Sequence, residues 1–278
     1  MITKAIIPVA GWGTRRLPIT KIIEKSMLPV GNRPLVDYSV QDLIKAGVKD
    51  IYMVISNVEP CQVREFYRDN LALNQYLVER GKEDKLSLAK TLPDDVTIHY
   101  TVQDPAGKYG TAVPIAMVVK EYRIEEPVLV FMGDDFVWNP EGESAAEALI
   151  RASQESGEVK SAILGVEIER EKVEKYGVLA TNDGKLTGVV EKPKPEDAPS
   201  NLINVSKYIM TPDLLKRIVE YVDSHEFGPK DQEYMVTDPI DEFIKDGGEM
   251  RIAPTTGEYL DGGSVEGWLH ANNVVCRG

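Results

Sequence analysis

The sequence has 278 residues, 42% of them hydrophobic and 28% charged, a composition typical of a globular protein with one large or two small domains. Its formal net charge of −13 argues against a broad nucleic-acid-binding surface, and no apolar run is long enough to span a membrane. Two cysteines, Cys61 and Cys276, are too few for a disulfide framework, and three histidines without a Cys/His cluster argue against a zinc site. Because no signal-peptide pattern precedes the first predicted strand, we expect a cytoplasmic protein with reduced cysteines.

A short apolar run, residues 4–9, predicts a buried first strand that leads into a glycine-rich turn. Gly11 and Gly13 lack the side chains that would keep a phosphate away from the backbone N–H groups, and Arg15 and Arg16 add positive charge. The spacing matches neither the P-loop nor the Gly-x-Gly-x-x-Gly fingerprint. Taken alone, it favours a simple strand-ending turn over a phosphate site.

The segment after this turn predicts a right-handed βαβ unit. Residues 35–46 carry apolar side chains at helical spacing, Pro34 suits the first helical position, and Gly47 suits the C-terminal cap. Residues 48–55 then form a second buried strand. The glycine-rich turn therefore lies at the carboxyl end of the first strand, where open α/β sheets bind ligands.

Strands and helices continue to alternate along the chain without an internal repeat. Predicted strands cover residues 97–102, 127–132, 161–167, 174–179, 186–193, 201–210 and 250–253. Predicted helices cover residues 60–92, 143–156, 212–222, 234–244 and 265–275, and Asn182-Asp183-Gly184 is a predicted hairpin turn. This order predicts an α/β fold with a Rossmann-like, mixed but mostly parallel central sheet, flanking helices and a smaller β-rich part.

Gln103 and Gly110 flank a loop that follows the third predicted strand. A glutamine amide can pair with the donor–acceptor edge of a pyrimidine, and Gly110 would allow a base to approach the backbone closely. Without further context, Gln103 is better interpreted as an ordinary turn residue.

Two aspartates, Asp134 and Asp135, follow Gly133 at the end of the most apolar predicted strand. Carboxylates at the carboxyl end of a central strand lie beside the ligand crevice, where they can hold Mg²⁺. Because the glycine-rich turn is predicted at the same edge, we favour metal binding over the alternative that Asp134 merely caps the next turn.

Several of these segments together resemble the sugar-1-phosphate nucleotidylyltransferases. The resemblance rests on Gly-x-Gly-Thr-Arg-x-Leu-Pro from Gly11, on residues 25–30, on Glu191-Lys192-Pro193 and on Asp261-Gly262-Gly263. Thr20-Lys21 and residues 76–82 are similar to the bacterial uridylyltransferase branch. The resemblance covers nearly the whole chain and implies one nucleotidyltransferase domain, residues 1–278. Its nucleotide-binding half would span about 1–160 and its sugar-phosphate-binding half about 161–278.

This resemblance implies an enzyme that makes UDP-glucose and pyrophosphate from UTP and glucose 1-phosphate with Mg²⁺, as a homo-oligomer, a dimer or a tetramer. It implies catalytic roles for Arg15 and Lys25 and metal ligation by Asp134 and Asp261, whereas Asp135 does not align with the ligand position. The implied nucleotide-binding residues are Ala10, Gly11, Gly13, Thr14, Gln103 and Gly110. The implied sugar-phosphate-binding residues are Gly177, Glu191 and Lys192.

Three positions depart from the family pattern: Ser26, Gly133 in place of a usual proline, and Ser206 in place of a usual glycine. Three alternatives therefore stay open. One is a thymidylyltransferase that uses dTTP, and another is a catalytically weak regulatory homologue. The third is a nucleotide-sugar-dependent glycosyltransferase, but the Asp-x-Asp spacing common in that class is absent from Asp134-Asp135.

Overall fold

A nine-stranded mixed sheet organises the part of the chain that the computed structural model describes, residues 2–155, 157–226 and 233–277. The strands are β1 (Lys4–Pro8), β2 (Pro29–Val30), β3 (Arg33–Pro34), β4 (Asp50–Ser56), β5 (Thr97–Gln103), β6 (Val128–Phe131), β7 (Asp135–Trp138), β8 (Ser161–Glu167), β9 (Gly177–Asn182), β10 (Lys185–Glu191), β11 (Leu202–Met210), β12 (Met250–Thr255) and β13 (Glu258–Asp261). The helices are α1 (Leu35–Lys45), α2 (Gln62–Tyr67), α3 (Leu71–Glu79), α4 (Leu86–Ala89), α5 (Ala112–Tyr122), α6 (Ala145–Gln154), α7 (Pro212–Ser224), α8 (Thr237–Lys245) and α9 (Val265–Val275).

The sheet has the order β5-β4-β1-β6-β11-β8-β12-β10-β9. Strands β5, β4, β1 and β6 are mutually parallel, and β12 is parallel to β8. Strand β11 runs antiparallel to β6 and β8, and β10 runs antiparallel to β12 and β9. All other strands of this sheet therefore point the same way, which confirms the predicted mixed, mostly parallel Rossmann-like sheet. Two small antiparallel ribbons, β2–β3 and β7–β13, stand outside it.

Helices cover both faces of the sheet because successive strand residues are buried on opposite sides. In β1, Ile7 joins a core cluster that includes Val36 of α1 and Leu149 of α6. Its neighbour Ile6 joins a second cluster, which includes residues of α5 and α7. Among the described helices, none combines the length and the apolar character needed to cross a bilayer.

The predicted elements agree with the structure at β8 and α9 and differ in several places. Helix α1 begins at Leu35, because Pro34 has an extended conformation (ψ 147°) and belongs to β3. Residues 60–92 hold three short helices and a 3₁₀ turn instead of a continuous helical segment; Asn70 caps the start of α3, and Gly81 (φ 63°) follows its end. Helix α8 starts at Thr237, three residues later than predicted, and Ser156 lies outside the described residues. Strands β7 and β13 were not predicted.

Candidate active site

The glycine-rich turn after β1 folds back onto Lys25. Gly13 has a left-handed backbone (φ 63°), and a Cβ atom there would approach the Lys25 Cβ to 2.9 Å. The Thr20 hydroxyl donates a hydrogen bond to the Gly13 carbonyl at 2.9 Å. Because any larger side chain at position 13 would be both strained and crowded, glycine there lets the turn hold Lys25 against it.

Lys25 contacts the first of the two predicted metal-binding carboxylates. Its Nζ lies 2.6 Å from Asp134 Oδ2, and both side chains are partly buried. Burial by itself would raise the pKa of Asp134, but the Lys25 ammonium, helped by Lys207, outweighs it and holds the pKa below its usual range. Asp134 is therefore an ionised carboxylate that already holds a cation, the Lys25 ammonium.

The β7–β13 ribbon brings Asp261 to the same place. Asp261 pairs with Asp135 in the ribbon register, and the Gly262 N–H donates to the Asp134 carbonyl at 3.0 Å. A Cβ atom at Gly262 would lie 2.2 Å from Leu35 Cδ2 and 2.5 Å from the Asp134 carbonyl oxygen. Only glycine fits this close approach, so the glycine after Asp261 is a structural requirement of the junction.

Asp135 faces protein partners. Its carboxylate forms a buried ion pair with Lys207 and accepts a hydrogen bond from the Tyr259 hydroxyl at 3.0 Å. Burial raises the pKa of Asp135 to about 6, although Lys207 opposes that shift. Its two oxygens thus tie β7 to β11 and β13.

Two connected cavities meet at these residues. The first, which we call the loop cavity, has a volume of about 670 Å³, and the second, the aspartate cavity, about 580 Å³. The predicted residues that line the loop cavity are Ala10, Gly11, Gly13, Thr14, Arg15, Lys25, Gln103, Gly110 and Asp134. Those that line the aspartate cavity are Arg15, Lys25, Asp134 and Asp261. Arg15, Lys25 and Asp134 are shared and form the junction.

Gly110 has a reason for being glycine beyond the predicted approach of a base. A Cβ atom there would lie 2.4 Å from the Tyr234 backbone nitrogen, in a segment where the Ala112 N–H also donates to the Tyr234 carbonyl at 2.8 Å. The Gln103 amide donates to the Lys108 carbonyl at 3.2 Å. Both residues are thus fixed at the wall of the loop cavity.

Gly177, Glu191 and Lys192 come together at one end of the β9–β10 hairpin, where Gly177 pairs with Glu191. Among the described residues, these three do not line either cavity. The chain turns at Lys192, which has a left-handed backbone (φ 46°). The Lys192 N–H donates to the Tyr176 carbonyl, and the Tyr176 ring lies 6.0 Å from that of Tyr259 in the aspartate cavity. The hairpin end therefore adjoins the aspartate cavity through these two rings.

The structure explains one of the three departures, Gly133, and shows why relatives usually carry glycine at the position of Ser206. Gly133 packs so tightly that a Cβ atom would lie 2.4 Å from Val9 Cγ1. Ser206 occupies a left-handed backbone (φ 52°) at an irregularity in β11, a conformation that suits the usual glycine better. Nothing in the structure explains Ser26.

Sequence reasoning missed Tyr259, which lines the aspartate cavity, and named Arg16 as a charge of the turn without predicting its burial. Arg16 is only 2% exposed, and its Nε and Nη2 atoms have no hydrogen-bond partner among the described residues. Burial lowers the pKa of Arg16, against the opposing charges of Asp261 and Asp134, which places all three within electrostatic reach. Tyr259 lies on β13, a four-residue strand that was not predicted, so no local pattern marked it.

The residues at the junction fit a divalent metal. Within the described residues, no three His, Cys, Asp or Glu side chains form a metal-binding group. Mg²⁺ is commonly bound by one or two carboxylates together with water and substrate phosphates, so two aspartates suffice. In this structure, the cation beside Asp134 Oδ2 is the Lys25 ammonium, which lies where such a metal could bind.

Comparisons with known proteins agree on one family. The nucleotidyl transferase family matches residues 4–278. A UTP–glucose-1-phosphate uridylyltransferase of Pseudomonas aeruginosa is 32% identical, over 98% of this chain and 95% of its own length. A UTP-bound UGPase from Acinetobacter baumannii superposes with a TM-score of 0.86 at 25% identity, over 99% of this chain and 93% of that chain. A UDP-glucose pyrophosphorylase complexed with UDP-glucose superposes with a TM-score of 0.79 at 28% identity, over 100% and 99% of the two chains.

Proposed function

Because this chain belongs to the nucleotidyl transferase family, we propose that it transfers a uridylyl group from UTP to glucose 1-phosphate, giving UDP-glucose and pyrophosphate. The observation that carries the proposal is the junction of the two cavities at Arg15, Lys25 and Asp134. One cavity has the glycine turn and Gln103 expected for a nucleotide, and the other has the second aspartate. The reacting phosphates of the two substrates would meet where the cavities join.

The reaction needs no general base. An oxygen of the sugar phosphate, already anionic at neutral pH, attacks the α-phosphorus of UTP and forms a new P–O bond. The bond from the α-phosphorus to the bridging oxygen breaks, and pyrophosphate leaves with that electron pair. The barrier therefore lies in bringing two polyanions together and in stabilising charge, for which positioned cations are the main tool.

Arg15 and Lys25 are the cations that reach both cavities. We assign Arg15 to the departing pyrophosphate and Lys25 to the phosphate oxygens that must be held in line. Lys192 would hold the sugar phosphate and Glu191 the sugar hydroxyls, with Gly177 leaving room for them beside the hairpin end.

Members of this family generally use a divalent metal. Here we propose Mg²⁺, held by Asp134 and Asp261. When bound, it would screen the phosphate charges and polarise the α-phosphate. Each of the three proposed basic residues, and the metal, would donate to or neutralise a phosphate oxygen. Losing a single such interaction typically lowers kcat by about 100- to 1,000-fold.

The test is pyrophosphate release with UTP and glucose 1-phosphate in the presence of Mg²⁺. Turnover that requires both substrates supports the proposal, and the absence of turnover would point to a regulatory homologue.

Measuring kcat/KM for UTP, dTTP, CTP, ATP and GTP then defines the base preference. Uracil matches a Gln103 amide and a neighbouring backbone group, whereas a purine needs more room. Equal or better use of dTTP would favour the thymidylyl reaction, since one methyl group is worth only about 1–3 kcal/mol.

Three further properties belong to the same proposal. We assign residues of about 1–160 to nucleotide binding and about 161–278 to sugar-phosphate binding within one domain; most of the loop-cavity lining precedes residue 160, in support of this. We propose a dimer or a tetramer, to be measured by light scattering; α3 exposes Leu71, Tyr76 and Val78. A cytoplasmic location fits both the nucleotide substrate and the two free cysteines.

A further inference from the structure

The contact between Lys25 and Asp134 occupies one of the two carboxylate oxygens that the proposed metal could use. Lys25 Nζ lies 2.6 Å from Asp134 Oδ2, with the two side chains 24% and 32% exposed. Both residues line both cavities, so the contact can be reached from either side. An ammonium is a compact point charge and can stand in the position of a metal ion beside a carboxylate.

Asp134 receives positive charge from two further directions. Arg16 is buried within electrostatic reach of Asp134 and Asp261, and Lys207 acts on Asp134 from beneath β7. A divalent ion that approached the free protein would meet carboxylates that are already compensated. It would also meet the Lys25 ammonium at contact distance, where like charges repel most strongly.

Lys25 also lies next to the turn expected to hold phosphates. A Cβ atom at Gly11 would be 3.9 Å from the Lys25 Nζ, so the ammonium stands beside the bare backbone of that turn. A lysine side chain has a flexible four-carbon stem, so its ammonium can move to another partner while the backbone stays in place. Moving from Asp134 to a phosphate above Gly11 would therefore need only a change of rotamer.

Building on the proposed function, we propose that Lys25 is the resident cation of the metal site in the free protein. When the nucleotide and the metal bind, Lys25 leaves Asp134 Oδ2 for a phosphate oxygen and the metal takes its place. In the absence of nucleotide, the metal must compete with Lys25. Lys25 therefore lowers the metal affinity of the free protein, and the nucleotide removes this effect by giving Lys25 another partner.

The experiment measures Mn²⁺ binding by electron paramagnetic resonance with full-length protein. The proteins compared are wild type, Lys25→Met, which keeps most of the length of the side chain and removes its charge, and Lys25→Gln as a second replacement. Lys21→Met is the matched control, because Lys21 is exposed on the same turn and, in the described structure, lines neither cavity. Each protein is measured alone and with α,β-methylene-UTP, which cannot release pyrophosphate. Circular dichroism verifies the fold of each variant.

We expect both Lys25 replacements to bind Mn²⁺ at least tenfold more tightly than wild type when no nucleotide is present, and Lys21→Met to match wild type. With the analogue, wild type should bind Mn²⁺ at least as tightly as the Lys25 replacements. Unchanged Mn²⁺ affinity in both Lys25 replacements, or no Mn²⁺ binding by any protein, overturns the exchange. Pyrophosphate release by wild type is measured in parallel, and its absence overturns the proposed reaction whether or not Lys25 affects Mn²⁺ binding.

Discussion

At the scale of single residues, two adjacent aspartates have opposite surroundings. Asp134 lies at the cavity junction, where its Lys25 partner can be exchanged. Asp135 is bound by Lys207 and Tyr259. Asp134 lies in the turn before β7, whereas Asp135 begins β7 and is held between Lys207 of β11 and Tyr259 of β13. Replacing each aspartate with a neutral residue should therefore have a different effect, on activity for Asp134 and on stability for Asp135.

We expect Asp134→Asn and Asp261→Asn to lower kcat by about 100-fold or more while the melting temperature changes little, because each removes a ligand charge at the cavity. Asp135→Asn is the contrasting variant. It leaves Lys207 buried without its counter-ion and should lower stability by about 3–5 kcal/mol. Steady-state kinetics and thermal unfolding distinguish the two patterns. Full activity of both Asp134→Asn and Asp261→Asn with Mg²⁺ would contradict the metal assignment.

Lys192 should govern the sugar phosphate. Replacing it with alanine removes a charged hydrogen-bond donor, so KM for glucose 1-phosphate should rise about tenfold or more while KM for UTP stays nearly constant. Lys194→Ala is the control, since Lys194 is an exposed lysine two residues further along the same segment. If the two variants behave alike, Lys192 is an ordinary surface lysine.

Ser206 carries a cost in backbone strain. A left-handed conformation costs a non-glycine residue about 1–2 kcal/mol of folding free energy. Replacing it with glycine recovers only part of this cost, because glycine has more conformational freedom in the unfolded chain. We expect Ser206→Gly to stabilise the protein by about 0.5–1 kcal/mol, measured by urea denaturation. A loss of stability would mean that the Ser206 side chain makes a contribution larger than its strain.

At the scale of elements, the β7–β13 ribbon was the main feature that the sequence did not reveal. Both strands have only four residues, and their pairing joins segments far apart in the chain. Short strands carry little periodicity, and long-range pairing leaves no local pattern. The glycine turn, by contrast, was predictable because left-handed backbone and close approach both demand glycine locally. Its motif also named Arg15 and Lys25, which line both cavities, whereas the burial of Arg16 follows from packing that no local pattern encodes.

The loop between β5 and α5 is anchored to the C-terminal end of α7. Lys108 Nζ donates to the carbonyls of Val222 and His225, where a cation also complements the helix dipole. Since Gln103 donates to the Lys108 carbonyl, this anchor helps to orient the glutamine amide.

We therefore expect Lys108→Met to raise KM for UTP by about three- to tenfold, with little change in KM for glucose 1-phosphate, because loosening a bound loop adds an ordering cost to nucleotide binding. Lys120→Met is the matched control: Lys120 also bonds to α7, through Asp223, but from the exposed face of α5. Equal kinetics for wild type and Lys108→Met would show that the loop keeps its position without this anchor.

At the scale of the whole molecule, one sheet supports both cavities. Strands β1 and β6 deliver the glycine turn and Asp134, and β11 connects them to β8 and β9, the region of the predicted sugar-phosphate residues. A ligand that fills both cavities should therefore stabilise the molecule as a unit. Alternation of strands and helices was enough to predict this sheet, because each βα step repeats a strong hydrophobic pattern. The order of strands beyond β6 depends on antiparallel pairings that the sequence does not encode locally.

We expect UDP-glucose at 100 times its dissociation constant to stabilise the folded protein by about 2.7 kcal/mol, a rise of several degrees in Tm. Removing divalent metal with EDTA should reduce this shift, because Asp134 and Asp261 would then repel the diphosphate. Thermal scans with UDP-glucose, with and without Mg²⁺, measure both effects. A shift that is insensitive to EDTA would argue that the ligand binds without a metal.

The β7–β13 ribbon also affects how the protein is synthesised. Asp134 follows Lys25 by 109 residues, and Asp261 is the last of the proposed site residues to be translated. Because β6 pairs with β11 and β7 pairs with β13, the nucleotide half is completed only when the C-terminal strands have been synthesised. The second carboxylate that the proposed reaction needs is thus added together with the ribbon, and we expect UTP turnover to begin only after the whole chain has folded.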